Sequence, residues 1–205
     1  MEVAPGGRKA KSAETEAALK AAARREFERL GYLNTKITDI TAEAGRAAGS
    51  FYKHFTSKES VLEALLADML VDVDDRVAVH PADHDLSDPA MLRAHVEIFW
   101  TTLRTHRPEL TALFQASQVD QAFAARLTRL MAPERQVMVA HMEYLRDRGV
   151  ALPGRPDLVA AAMIGLIWQF ALEHLDAVAD DEAISLLTAF ILRGIAGSAP
   201  VEPRS

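Results

Sequence analysis

The chain contains no cysteine. Disulfides, thiolate metal centres and cysteine nucleophiles are therefore excluded, which fits a reducing cytoplasm. The opening stretch MEVAPGGRKAKSAE has no apolar signal core, so an intracellular protein is expected. The longest apolar run, near Val159 to Ile167, is too short to cross a bilayer without polar interruption, and no membrane partner is expected. Catalytic motifs are missing as well: there is no P-loop, no GxSxG elbow and no HExxH pair, so the chain does not read as an enzyme. His80, Asp83, His84 and Asp85 carry metal-ligating chemistry, but they sit in a break rich in Asp and Pro and read as a solvated loop. His95, His106, His141 and His174 show no ligand spacing among themselves. No cofactor or metal is expected. Internal repeats and low-complexity tracts are absent too.

What the chain does have is apolar mass and a charge asymmetry. It is 205 residues long with 49% apolar residues, enough for one larger domain or two small ones. The formal net charge of -6 argues by itself against a polyanionic partner. Residues 1–60, however, hold 11 Lys and Arg against 8 Asp and Glu, a balance of +3, while the remainder holds 12 against 21, a balance of -9. A basic head on an acidic body suggests that the head alone meets a polyanion.

Hydrophobic spacing follows the helical period almost throughout. Leu19, Ala23, Phe27 and Leu30 mark one helix face, stopped by Gly31. Ile37, Ile40 and Ala44 form a short pattern closed by Gly45. Thr56 and Glu59 read as a capping box opening a long helix striped by Val61, Leu62, Leu65, Leu66, Met69, Leu70 and Val73. Pro89 after Asp88 reads as a helix start. Pro108 should end that helix, and Pro133 should kink or restart the chain. Two strongly apolar helices, near 156–178 and 181–196, close the pattern. The expectation is an all-α protein of about nine helices, three short ones in front.

The stretch GRAAGSFYKHFTSKE, residues 45–59, carries the functional signal. Its two short helices are too brief to persist alone and must lean on the first helix. Phe51 and Phe55, four apart, point inward with Phe27, Leu30, Ile37, Ile40 and Ala44. Tyr52, Lys53 and His54 fall on or near the other face. Small residues (Ala47, Ala48, Gly49, Ser50) at the start of the second helix let it sink into a major groove, while Tyr52, Lys53, His54 and Lys58 can donate to phosphates on either side. This is a helix-turn-helix reading.

GYLNTKITDITAEAGRAAGSFYKHFTSKESVLEALL, residues 31–66, resembles the DNA-binding region of the TetR family of one-component transcriptional regulators. The resemblance implies an N-terminal three-helix helix-turn-helix DNA-binding domain followed by a C-terminal helical ligand-binding and dimerisation domain. The boundaries expected are a flexible basic arm at 1–12, the DNA-binding domain at 13–59, the effector and dimer domain at 60–197 and a flexible tail at 198–205. It further implies backbone contacts from Tyr52, His54 and Lys58, a phosphate or base contact from Thr38, and base readout at Ala47, Ala48, Ser50 and Lys53. Three positions depart from the family pattern. Arg46 stands where a small aliphatic residue is frequent, Ala47 where a Ser or Thr caps the recognition helix, and Thr41 where alanine is frequent. A lost cap costs about 0.5–2 kcal/mol, which points to a recognition helix ordered by DNA. Specificity is expected from Ser50, Lys53 and Thr38 with DNA shape contributing, and Arg46 reads more as a plain surface residue than as a base reader.

The last two helices carry more apolar surface than a two-helix pair can hide, with Leu166, Phe170, Leu187, Phe190 and Ile191 among it. A self-complementary homodimer interface is one sink, and the core of the domain is the other. The resemblance implies the dimer, and with it a pseudo-palindromic operator in double-stranded DNA. Met69, Phe99, Trp100, Leu103, Phe114, Met138, Tyr144 and Trp168, with Gln115 and His141 as polar groups, suit an adaptable pocket for a small apolar or amphipathic effector, though the same stripe also reads as ordinary core. A dimeric, ligand-released repressor is the reading. A regulator without a small-molecule ligand, and a helical binding protein without DNA affinity, are the alternatives.

Overall fold

The computed structural model describes residues 5–77 and 85–195, all helix and connection with no strand among them. The helices are α1 (Pro5–Leu30), α2 (Ile37–Glu43), α3 (Ala48–Phe51), α4 (Lys58–Val77), α5 (Pro89–Thr105), α6 (Arg107–Val119), α7 (Gln121–Leu130), α8 (Ala132–Asp147), α9 (Pro156–His174) and α10 (Asp180–Ile195). The all-α fold is as expected, with one helix more than the count. α1 begins at Pro5, inside the stretch expected to be a loose arm. As expected, α5 ends just before Pro108, at Thr105, and the chain restarts as a helix at Pro133. Each is the second residue of its helix, α6 or α8, where no backbone donor is needed. His80, Asp83, His84 and the tail 198–205 lie outside the described residues. Asp85 accepts a hydrogen bond from the Ser87 amide at 3.0 Å, a turn that leads into α5.

Two compact units divide the chain. One gathers residues up to 71 together with 106–127, and the other holds 72–105 and 128 onward. In the first, α1 is the strut against which α2 and α6 pack. Its core is Leu19, Ala23, Phe27, Ile40, Phe51, Leu62 and Leu65, each at most 4% exposed. Ion pairs tie α1 outward to α4 (Lys20 to Asp68, 2.7 Å) and α2 (Arg25 to Glu43, 2.6 Å).

In the second unit α5 packs on α9 and α10, and α8 on α9. Trp100 is fully buried, and its indole N–H donates to Asp180 at 2.6 Å. Arg104 reaches the same carboxylate, and Arg93 reaches Asp181, both at 2.6 Å. The acidic first turn of α10 is thereby clamped to the side of α5, where anions also favour the helix dipole.

Candidate nucleic-acid interface

Local rules in the sequence shape the helix-turn-helix. α1 ends at Gly31, whose φ of 73° only a residue without Cβ adopts without strain. Thr35 is 1% exposed and spends its hydroxyl on the Gly31 carbonyl at 2.8 Å. Asp39 reaches back to the Lys36 amide at 2.9 Å and caps α2. Gly45, with φ 62°, makes the turn into the recognition segment. Phe51 (0% exposed) and Phe55 (5%) anchor that segment, their rings 5.7 Å apart. The recognition helix is a single turn, Ala48–Phe51. Ala47 makes no side-chain cap, as its identity requires. In the structure the turn is formed, with the two buried phenylalanines behind it.

Burial of Phe51 and Phe55 turns Tyr52 and Lys53 outward. Tyr52 is 61% exposed, and Lys53, Ala47, Ala48 and Thr38 are exposed beside it, with Ser50 half-buried. These six lie on the segments that the helix-turn-helix reading puts in and beside a groove. A hollow of about 560 Å³ opens between the starts of α2 and α4, lined by Asn34, Lys36, Thr56, Ser57 and Lys58 among others.

Three of the proposed contact residues are engaged within the chain. Arg46 pairs with Glu14 of α1 at 3.3 Å. The His54 ring is turned inward, its Nδ1 lying 3.7 Å from the Glu16 carboxylate. Lys58 donates to the carbonyls of Tyr32 (2.8 Å) and Thr35 (2.7 Å) and stands over the Tyr32 ring, 4.3 Å from its centre. Burial pulls its pKa below the usual lysine range, with Glu59 opposing. Lys58 thus fastens the end of α1 to the start of α4. The sequence hides this role because the two carbonyls, more than twenty residues upstream, leave no local pattern.

The cap of α4 is also displaced by one residue from expectation. Ser57, not Thr56, accepts from the amide of Ser60 at 3.3 Å, and the Ser60 hydroxyl accepts from the Ser57 amide at 3.1 Å. Glu59 is thereby free of capping and accepts the Tyr32 hydroxyl. Burial pushes its carboxyl up, but hydrogen bonds from Ser57 and Tyr32 prevail and hold it below the usual range. Burial, followed by Glu59, raises the Tyr32 phenol well above its usual value.

α6 is locked onto this same unit. Glu109 is fully buried and bonded to Arg24 of α1, with His106 Nδ1 at 3.5 Å. Burial pushes the Glu109 carboxyl up, yet His106, its own backbone amide and Arg24 outweigh that and leave it below the usual range. Gln115 accepts the Tyr32 amide at 2.9 Å, so one of the polar groups proposed for an effector is occupied here by backbone. Of the other effector candidates, Met69 is buried in this unit and Phe114 is 42% exposed on it.

The second unit holds the remaining effector candidates. Trp100, Leu103, Met138 and His141 are buried, and Phe99, Tyr144 and Trp168 are half-buried. The His141 ring meets that of His95 edge-on, centres 5.3 Å apart. The interface candidates separate into two groups. Leu187 (1% exposed) and Ile191 (3%) point into the unit's own core, which corrects their placement on a pairing face. Phe170 is half-buried against Trp100, ring centres 5.9 Å apart. Leu166 is half-buried, whereas Phe190 (65%), Leu158 (59%) and Leu186 (51%) are exposed. The reason is helical phase: Leu186 and Phe190 share a stripe one residue out of step with Leu187 and Ile191. A groove of about 400 Å³ runs between α9 and α10, lined by Leu158, Ala162, Leu166, Phe190 and Gly194 among others. α9 is long and apolar enough to cross a membrane by length and composition alone (mean hydropathy 1.3), yet only 28% of that apolar window is buried.

Comparison with known proteins matches residues 19–65 to the bacterial regulatory proteins of the tetR family. The chain is 27% identical over 195 residues to the HTH-type transcriptional regulator EthR of Mycolicibacterium smegmatis, covering 91% of this chain and 88% of that one. Among solved structures, the fatty acid degradation regulator FadR from Bacillus halodurans superposes with a TM-score of 0.76 at 15% identity, over 95% of this chain and 98% of that one. AibR in complex with isovaleryl coenzyme A and operator DNA superposes at 0.68 with 17% identity, over 86% and 97%. With the helix-turn-helix formed by residues 37–55 and these matches in hand, residues 19–65 at the N-terminal end of the chain are similar to the DNA-binding domain of bacterial regulatory proteins of the tetR family.

Proposed function

We propose that the protein is a homodimeric cytoplasmic repressor that binds a two-fold operator and is released from it by a small, largely apolar effector. The observation that carries the DNA half of this reading is the exposed group Thr38, Ala47, Ala48, Tyr52 and Lys53, held outward by the buried Phe51 and Phe55. Ala47 and Ala48 present methyl groups suited to thymine methyls, while Ser50, Lys53 and Thr38 supply donors. Tyr52 is a backbone-positioning contact. Arg46 is available as well: exposed ion pairs like Arg46–Glu14 are worth at most about 1 kcal/mol, so a phosphate can displace the carboxylate. His54 and Lys58 act as supports that set the height of the recognition turn.

The apolar stripe of Leu158, Leu166, Leu186 and Phe190 supports the dimer. Its natural occupant is the same stripe of a second copy, because a two-fold contact needs one self-complementary patch. Two recognition turns one DNA helical turn apart then follow from the symmetry. The buried aromatic and methionine residues of the second unit, Trp100, Met138 and Met163 among them, support an apolar effector. FadR and AibR, by their descriptions, concern fatty acid degradation and an acyl coenzyme A, which makes acyl chains the first effector class to try.

The test is a preformed complex of the protein with a duplex it selects, titrated with free fatty acids and acyl coenzyme A esters of increasing chain length. The expected result is loss of the complex over a narrow range of chain lengths, with tighter binding of that compound to the free protein. Effector binding with no change in DNA affinity would remove the release mechanism.

A further inference from the structure

We infer that Gln115, on α6, is a positioning residue for DNA reading: it holds the bend between α1 and α2 and thereby sets where α2 presents Thr38. The inference rests on the DNA-binding reading above and adds a residue outside the matched region 19–65. Residues 31–36 connect α1 to α2. Outside a helical ladder, their backbone groups need partners from elsewhere. Tyr32 is 3% exposed, and each of its three polar groups goes to a side chain from a later helix. Its amide donates to Gln115 Oε1 at 2.9 Å, its carbonyl accepts from Lys58 Nζ at 2.8 Å, and its hydroxyl donates to Glu59. Lys58 also takes the Thr35 carbonyl at 2.7 Å, one residue before Lys36, the N-cap of α2. Gln115 packs on Gly31 as well, where a Cβ would stand 3.4 Å from its Oε1.

α4 and α6 thus share one bend, and α6 brings the more distant anchor. Glu109, fully buried and bonded to Arg24, fastens α6 to α1. Gln115 follows six residues later, about 9 Å along the axis. A helix attached at two points is a rigid reference for whatever it holds, and what Gln115 holds is the backbone amide on the α1 side of the bend. Lys58 holds the carbonyls that lead into α2. With both sides fixed, α2 leaves the bend at one angle. Thr38 is exposed on that helix, three residues beyond Thr35, so the same bonds set its height against a DNA surface. Gln115 touches neither base nor phosphate in this reading; it acts through Thr38.

The experiment measures the wild-type chain, Gln115→Met and Gln115→Glu on a duplex that the wild type enriches from a random-sequence pool, each with and without Thr38→Ala. Gln115→Met keeps the length of the side chain and removes the acceptor, whereas Gln115→Glu keeps the acceptor. Affinity is read by anisotropy and the fold by thermal melting. Loss of one hydrogen bond should weaken Gln115→Met on the duplex by roughly 2- to 10-fold, with Gln115→Glu restoring the wild-type affinity. Thr38→Ala should cost less in the Gln115→Met background than in the wild type, because the two residues act through one contact. Wild-type affinity in Gln115→Met, equal weakening in Gln115→Glu, or an equal Thr38→Ala loss in both backgrounds overturns the inference, while loss of binding by Tyr52→Ala still upholds the regulator. A wild type that selects no sequence at all takes both down together.

Discussion

Glu109 shows at the scale of a single residue how this fold keeps a charge in its interior. Isolated burial of a carboxylate is costly, but here Arg24 supplies the counter-charge while His106 and a backbone amide supply donors. Its folded-state pKa therefore lies below the unfolded value near 4.5. A depressed carboxylate stabilises the fold fully above the unfolded pKa and loses that contribution as pH falls through the folded one. Thermal midpoints of the wild type should thus decline on acidification below about pH 4.5. Glu109→Gln should start lower at neutral pH and show a shallower acid decline. A variant whose acid profile runs parallel to the wild type would show that the acid sensitivity lies elsewhere. None of this could be read from the sequence, because Arg24 and Glu109 are eighty-five positions apart. The outward Tyr52 and inward Phe51 and Phe55 were legible, since a four-residue apolar spacing settles them. His54 and Lys58 looked like free donors because their partners, Glu16 and two carbonyls, are tertiary.

At the scale of the element, α9 and α10 carry the proposed assembly. Their composition announces excess apolar surface, but only helical phase says which residues lie on it. Leu187 and Ile191 fill the unit's own core, while Leu186 and Phe190 stand outside. Opposite outcomes follow for neighbouring positions. Leu186→Asp and Phe190→Asp should leave the circular dichroism and the melt of the monomer intact while sedimentation shifts from dimer to monomer. Leu187→Asp should unfold the second unit, since an unpaired buried charge costs several kcal/mol, on the order of 3–5. Intact dimers from both Leu186→Asp and Phe190→Asp would remove the proposed interface. The capping of α4 shows a similar one-residue shift. Thr56 and Glu59 have the right spacing for a box, but so do Ser57 and Ser60, and the second pair wins because Glu59 is drawn to the Tyr32 hydroxyl. The prolines were legible: each marks a break by being suited to the first turn of the next helix.

On the scale of the whole molecule, charge and burial divide the labour. The basic head carries the helix-turn-helix, and the acidic remainder carries the apolar helices to which the proposal assigns pairing and an effector. α6 complicates a simple cut between them, because Glu109 and Gln115 fasten it to α1 and to the Tyr32 amide. Its placement was not legible, since its apolar stripe is compatible with either unit. The most direct measurement of the central claim is selection of duplex DNA from a random-sequence pool by the purified protein, run beside the Tyr52→Ala/Lys53→Ala variant. The expected result is enrichment of a two-fold symmetric sequence, its half-sites spaced by about one helical turn, with no enrichment by the variant, whose fold is unchanged. Failure of the wild type to enrich any sequence, or enrichment of the same sequence by the variant, would contradict an operator read by this surface.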